Sequence, residues 1–251
     1  SDGGLNIIAR GICYSLNENP TINDRYIVSG DGLGKFTINL EGLTDETTYY
    51  IRAYAKNSNG IAYGEQISFT TLGEPVDLGL SVRWAACNLG ATTPEEYGDY
   101  FAWGEVEPKE DYAWNTYKHL EGSNLIKYTG SDKTVLDPED DAAAVNWGGA
   151  WRIPTIAELD ELKNNCTWTW TTQNGVNGYK VTGPNGNSIF LPITGFMYGK
   201  DLTDDEWGFY WSNSYGNGAM SNASSMFFIS NIIDWNHSAR RYGRSVRPVC
   251  Q

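Results

Sequence analysis

Short stretches in which apolar and polar residues alternate, each closed by a turn containing Gly or Asn, recur along this 251-residue chain. A period of two sends successive side chains to opposite faces, so these stretches specify half-buried strands rather than long helices. The composition agrees. There are 28 Gly, 16 Tyr and 10 Trp against nine Lys, a turn-rich, aromatic mixture common in extracellular β-rich binding proteins. With 40% hydrophobic residues the chain can bury a core, and its length fits one large domain or two small ones.

Charge and sparse residue types narrow the function classes. A formal net charge of −13 repels a polyanion, which argues against nucleic acid as a partner. No apolar run reaches the roughly 18 residues of a membrane-spanning helix, so no direct membrane span is expected. The opening Ser1-Asp2-Gly3-Gly4 is no signal peptide and reads as mid-sequence, so a longer precursor is expected. Cys13, Cys87, Cys166 and Cys250 are widely spaced without a C-x-x-C pair. That argues against a zinc knuckle or redox motif and leaves disulfides or buried thiols open. His119 and His237 are the two histidines; they exclude a histidine-rich metal site, and a Ser-His-Asp triad would need one of them.

Residues 1–72 read as a small β module, with strands expected over 7–14, 34–40 and 67–71 and a longer one within 43–60. In that longer strand Tyr50, Arg52 and Tyr54 share one face, and Tyr49, Ile51, Ala53 and Ala55 the other. Leu43, Thr48, Tyr50, Arg52, Ala53, Ala55, Asn57 and Gly60 resemble the tyrosine-corner strand and turn of a fibronectin type III domain. The resemblance covers 40–71. The first one or two strands of that fold have no counterpart, which implies a partial sandwich acting as a spacer.

After a linker at 72–75 the pattern changes. A hairpin is expected over 76–87, and short helices begin at Thr93-Pro94-Glu95-Glu96 and at Asp137-Pro138-Glu139, the second stopping at Gly148-Gly149. Thr155-Ile156-Ala157-Glu158 is a capping box, and the helix it opens carries Ile156, Leu159 and Leu162 on one face. Strands follow over 167–172, 178–182, 188–192, 209–212, 225–230 and 245–250. Residues 73–251 therefore specify an α+β domain with an antiparallel sheet.

Five blocks carry a resemblance for 75–250: Val76 to Ala85, Gly98-Asp99-Tyr100-Phe101-Ala102-Trp103-Gly104-Glu105, Trp151-Arg152-Ile153-Pro154-Thr155, Tyr210-Trp211-Ser212, and Ser245-Val246-Arg247-Pro248-Val249-Cys250. Their order resembles the bacterial form of the C-type-lectin fold, specifically the Fibrobacter succinogenes major paralogous domain, related to formylglycine-generating-enzyme-like domains. The whole is then a β-rich two-domain chain: a partial fibronectin type III-like β-sandwich followed by an α+β C-type-lectin-fold domain. Such domains commonly follow fibronectin-like modules on gut Bacteroidales. The resemblance implies an extracellular or cell-surface protein, secreted or held as an outer-membrane lipoprotein, with a host or bacterial surface protein or glycan as partner.

The same resemblance admits an enzyme on the formylglycine-generating or a carbohydrate-active scaffold, or a pilus-tip subunit whose β module another chain completes. A formylglycine-type enzyme needs a reactive cysteine pair, whereas Cys87, Cys166 and Cys250 lie in segments that read as structural. Binding, not catalysis, is expected. No cofactor is expected either. Glu107-Pro108-Lys109 carries Lys where the lectin calcium motif places Asn or Asp, and His237 follows Asp234-Trp235-Asn236 where an acid would stand. Calcium would fall to Asp137, Glu139, Asp140 and Asp141, which read first as acids complementing a helix N-terminus. Asp201, Asp204, Asp205 and Glu206 read as a solvated loop.

The C-terminal stretch has its own composition. From Gly208 to Cys250 there is no Lys, Glu or Gln, although the first 207 residues hold 9 Lys, 15 Glu and 2 Gln. This resembles variable proteins of diversity-generating retroelements, in which randomised Asn-type codons never encode those residues. By that resemblance the candidate ligand-binding positions are Asn222, Ser224, Ser225, Phe227, Ile229, Ile232, Asp234, Asn236, His237, Ser238, Ala239 and Arg241, with Trp211, Trp235, Arg247 and Pro248 as fixed scaffold. An invariant binding face and plain structural strands are the alternatives. Phe227, Ile229, Ile232, Trp235 and Tyr242 would supply apolar anchors among small polar residues, a paratope-like mixture. Four Arg face the single acid Asp234 between 208 and 251, which would favour an acidic partner unless Arg244 and Arg247 pair with internal acids such as Glu105.

Overall fold

The computed structural model describes residues 5–45, 47–129, 133–216 and 219–251. The chain divides into two compact units, 1–73 and 74–251.

The first unit is one antiparallel sheet built from β1 (Ala9–Ser15), β2 (Arg25–Gly30), β3 (Thr48–Asn57) and β4 (Gly60–Thr70), in the order β2-β1-β3-β4. The alternation read in β3 does not separate a buried from an exposed face: Tyr49 and Tyr54, read on opposite faces, are both buried and Ala53 is exposed, with a register shift against β4 between Arg52 and Tyr54. The Tyr49 hydroxyl accepts from the Thr44 N–H at 3.0 Å, tying the approach loop to the strand. Tyr49 makes this corner, not Tyr50. Gly11 is required by close approach, because a Cβ there would lie 1.9 Å from the Ile27 carbonyl oxygen. Residues 34–40 do not form the expected strand. Gly30, Gly32 and Gly34 all turn the chain with positive φ, and Arg10 then holds the segment by donating to the Gly32 and Gly34 carbonyls, with its guanidinium 5.4 Å from the Phe36 ring. Among its described residues the first unit forms this one sheet and no other.

The second unit is β-rich, with several small sheets and two helices. In chain order it contains β5 (Arg83–Trp84), β6 (Leu120–Glu121), β7 (Asn124–Leu125), α1 (Ala142–Trp147), α2 (Ile156–Asn165) and β8 (Thr167–Gln173). Then come β9 (Val176–Thr182), β10 (Ser188–Pro192), β11 (Phe196–Tyr198), β12 (Asp201–Thr203), β13 (Gly208–Tyr215), β14 (Asn222–Ile229), β15 (Ile232–Ala239) and β16 (Val249–Cys250). The sheets are β10-β9-β8, β13-β14-β15 and the pairs β11-β12, β6-β7 and β16-β5, so the two ends of this unit are zipped to each other.

The Thr155 capping box forms as read, and Arg152 clasps Glu158 from outside it. It aims Leu159 and Leu162 of α2 into a core with Trp84, Tyr210, Met226 and Phe228. A second cluster contains Phe101, Trp103, Trp211 and Val246. It is cross-tied by indole N–H bonds from Trp211 to the Phe101 carbonyl, 2.8 Å, and from Trp103 to the Ser212 carbonyl, 2.9 Å.

Several expectations are corrected. Thr92 and Thr93 donate their N–H groups to Glu96 in a capping arrangement, yet no helix follows, because Gly98 at φ +70° turns the chain at once. A short helix does start at Asp137-Pro138, but it is a single 3₁₀ turn, Pro138–Asp140, without a side-chain cap from Asp137; Asp141 then caps α1 by accepting from Ala143 and Ala144, and the stop at Gly148 is realised at φ +66°. The last strand shrinks to β16, while β15 replaces what the sequence left without an element. No disulfide forms among the four cysteines.

Candidate ligand-binding face

The register of β13, β14 and β15 sorts the candidate positions onto two faces, because opposed residues in antiparallel strands share a face. Ser225, Phe227, Ile229, Ile232, Asp234, Asn236 and Ser238 fall on one face, with Phe209 and Trp211 of β13. Asn222, Ser224, His237 and Ala239 fall on the other, with Tyr210, Met226 and Trp235. That second face is turned to the core over its middle, while at one end His237 is exposed and Asn222 and Ala239 are half-buried. Met226 and Phe228 are buried there, Ser224 is buried and bonded to His237 Nδ1 at 3.1 Å, and the Trp235 indole donates to Asp160 of α2 at 2.8 Å. Trp235 is therefore a scaffold residue and not a surface anchor. The twelve positions do not form one continuous surface.

The first face changes character along its length. Ile232 is 44% exposed, Asp234 is exposed and pairs with Lys163 of α2, and Phe227, Ile229 and Asn236 are half-buried. At the other end Ser225 and Ser238 are buried, because both hydroxyls accept from the Arg244 guanidinium, Ser238 at 2.6 Å. Those two positions cannot meet a ligand in this arrangement. Arg244 is 1% exposed, lies 4.5 Å from the Phe209 ring centroid and 4.8 Å from that of Trp211, and leaves its Nε without a partner. Burial lowers its pKa to about 9.

The expectation that Arg244 and Arg247 pair with acids is overturned. Arg247 donates to Asn88 Oδ1 at 2.9 Å and to the Ala86 and Phe190 carbonyls, while Glu105 is taken by Lys109 at 2.8 Å. Neutral oxygens and aromatic faces spread the buried charges instead of carboxylates.

An aromatic band runs from this face through the buried Phe209 to the half-buried and exposed rings beyond it. Trp207 lies 5.5 Å from Phe227 and 6.1 Å from Phe209, Phe209 lies 5.2 Å from Phe196, Phe196 5.1 Å from Tyr242, and Tyr242 5.6 Å from Tyr198. The band ends at Arg241, whose guanidinium carbon sits 4.8 Å from the Tyr198 ring, 4.9 Å from Tyr242 and 5.6 Å from Trp114. Trp114 also walls a groove of about 430 Å³ with Leu120, Gly122, Ser123, Leu125 and Ser221. Tyr198 is 47% exposed and Met220, near the groove, 54%. Sequence reasoning missed Trp114, which lies far along the chain from the C-terminal segment, and Tyr198 and Trp207, which lie just before it; a tryptophan closing the acid run Asp204-Asp205-Glu206 was the one local signal.

The acidic cluster that could have taken calcium is occupied by a side chain. Asp137, Glu139 and Asp140 do converge, but the Lys127 ammonium lies among them, 3.1 Å from Asp137, 3.3 Å from Glu139 and bonded to the buried Asp140. Lys118 and the Tyr128 hydroxyl also bond Asp140, and Asp141 is consumed as helix cap and acceptor of the Ile153 N–H. Burial resists ionisation of Asp140, but these donors prevail and its pKa is lowered. The thiols of Cys13, Cys166 and Cys250 have pKa values raised by burial, the reverse of nucleophile activation. Among the described residues no helix is long and apolar enough to cross a membrane. Comparisons of the chain with family models, with curated proteins and with solved structures give no match.

Proposed function

We propose that this chain is an extracellular ligand-binding protein of the C-type-lectin fold, preceded by a fibronectin type III-like spacer. It is secreted or held as an outer-membrane lipoprotein and acts by recognising a protein or glycan on a host or bacterial surface, without turning over a substrate. The observation that carries this reading is the aromatic band from Phe227 to Trp114. Rigid rings beside small polar side chains give contact area at low entropy cost, and the groove at Trp114 supplies concavity. The candidate positions that are exposed or half-buried are Asn222, Phe227, Ile229, Ile232, Asp234, Asn236, His237, Ala239 and Arg241. If the segment is diversified, substitutions that alter recognition fall there.

Two experiments test this. A glycan and host-protein array probed with the wild-type chain and with Phe227→Ser is expected to give hits that the variant loses. Hits indifferent to Phe227 and Arg241 substitutions would sink the assignment of the face. Deep sequencing of the DNA encoding residues 210–242 in natural populations is expected to show variation at adenine positions of a template copy, with codons 225 and 238 constant. A uniform segment would leave a fixed-specificity binder and remove the retroelement reading.

A further inference from the structure

Arg241 is a cation without a counter-ion. It forms no ion pair among the described residues, in a chain whose net charge is −13. Among the described residues its side chain makes a single hydrogen bond, a long one of 3.5 Å to the Tyr112 carbonyl, and its buried Nε has no partner there. The side chain is half-buried, clamped by the Trp114, Tyr198 and Tyr242 rings. A guanidinium carries five donors in a planar fork matched to a carboxylate, and aromatic walls fix its plane without satisfying those donors. Arg240, the preceding residue, shows the contrast. It is fully buried and bonds the Lys127 and Tyr128 carbonyls at 3.1 and 2.7 Å as well as stacking on Trp103 and Tyr215.

We propose that Arg241 receives the carboxylate of an acidic sugar, a uronate or sialate, whose neighbouring rings run into the groove beside Trp114. This rests on the reading of the face as a binding surface and adds the ligand class. The groove lining favours a glycan over an acidic peptide. Trp114, Leu120 and Leu125 offer flat apolar contact for the C–H face of a sugar ring, Ser123 and Ser221 offer hydroxyls to its rim, and among the described residues no charged side chain lines it. One charge is therefore read at one place, at Arg241.

The test is titration calorimetry on the intact chain with oligogalacturonate and 3′-sialyllactose, each beside its neutral counterpart, the methyl ester and lactose, and with polyglutamate. An acidic sugar is expected to bind roughly 10- to 100-fold tighter than its neutral form, the range for a charge-assisted pair. Whichever of the two acidic probes binds identifies the source of the carboxylate. Arg241→Gln is expected to erase that difference, and Arg241→Lys to restore part of it, since Lys keeps the charge but not the fork. An unchanged tryptophan emission spectrum confirms folding of each variant. Equal affinity for acidic and neutral sugars overturns the carboxylate assignment; if Phe227→Ser then weakens both, the binding face itself stands. Polyglutamate binding that Arg241→Gln abolishes, without sugar binding, replaces the glycan with an acidic polypeptide. No binding of any probe at about 1 mM overturns the proposal.

Discussion

Lys127 holds the place where three converging carboxylates would otherwise take a divalent cation. An ammonium supplied by the chain carries no entropic cost of capture and leaves no open ligand positions for Ca²⁺, which needs six or more oxygens. Calcium at about 1 mM is therefore expected to leave the melting temperature of the wild type unchanged. Lys127→Gln is expected to cost about 1–3 kcal/mol, because Asp140 stays buried with fewer donors, and to make the melting temperature respond to calcium. Thermal scans with and without calcium check this, and a rise of several degrees in the wild type would contradict it. His119 gives a pH signature from the same cluster. Its Nε2 lies 2.7 Å from the Gly104 carbonyl oxygen, and burial lowers its pKa below 6.5 against the opposing pull of that carbonyl and Asp140. The unfolded chain then binds the proton more readily than the folded one, so the stability is fully present above 6.5 and is lost as the pH falls through the window beneath it. Denaturant titrations from pH 7 downward are expected to show this slope, and His119→Asn to flatten it; a slope unchanged by the substitution would contradict the assignment. None of this cluster was legible as such. The sequence displayed the acids, but that Lys127 and Lys118 reach them from another loop is a fact of tertiary packing.

At the scale of elements, local signals were reliable where the chain's own neighbours complete the interaction. The Thr155-to-Glu158 box is satisfied within four residues, and α2 begins where it says. Thr155→Ala removes one cap and is expected to cost about 1 kcal/mol of stability, measured by chemical denaturation, with no change in binding. The similar signal at Thr93 failed because Gly98 follows at once. Part of β14 was legible as a strand and β15 was not, and which face meets solvent was not legible in either. Burial of Ser225 and Ser238 depends on Arg244 arriving from beyond β15, and burial of Trp235 depends on Asp160 of α2. Gly208 is similarly invisible in one dimension. A Cβ there would stand 2.3 Å from the Phe228 ring, inside the main core. Gly208→Ala is expected to destabilise by about 1–3 kcal/mol, the cost of overpacking, and to lower affinity only through the folded fraction. A stability equal to wild type in urea titration would show that the strand edge yields freely.

The whole molecule offers an internal label for its two units, since all ten tryptophans lie between Trp84 and Trp235 and none in the first unit. The units differ in how they bury apolar surface. The first is a single sheet that leaves Ile67 64% exposed, Val28 54% and Tyr26 53%. The second encloses Trp84, Trp103, Trp211 and Phe228 almost completely and ties its own ends together through β5 and β16. Apolar area removed from water is the main stabilising term, so the second unit has the larger reserve and needs nothing from the first to close. On heating the intact chain, far-ultraviolet circular dichroism is expected to show an early transition that tryptophan emission does not follow, then a later one seen by both. Coincident transitions would mean one cooperative block, and the division into units would then have no energetic counterpart. Removing residues 249–251 separates the two possibilities further. It deletes the partner of β5 and exposes the edge of Trp84, so it is expected to bring the tryptophan transition down towards the early one while leaving the early one in place.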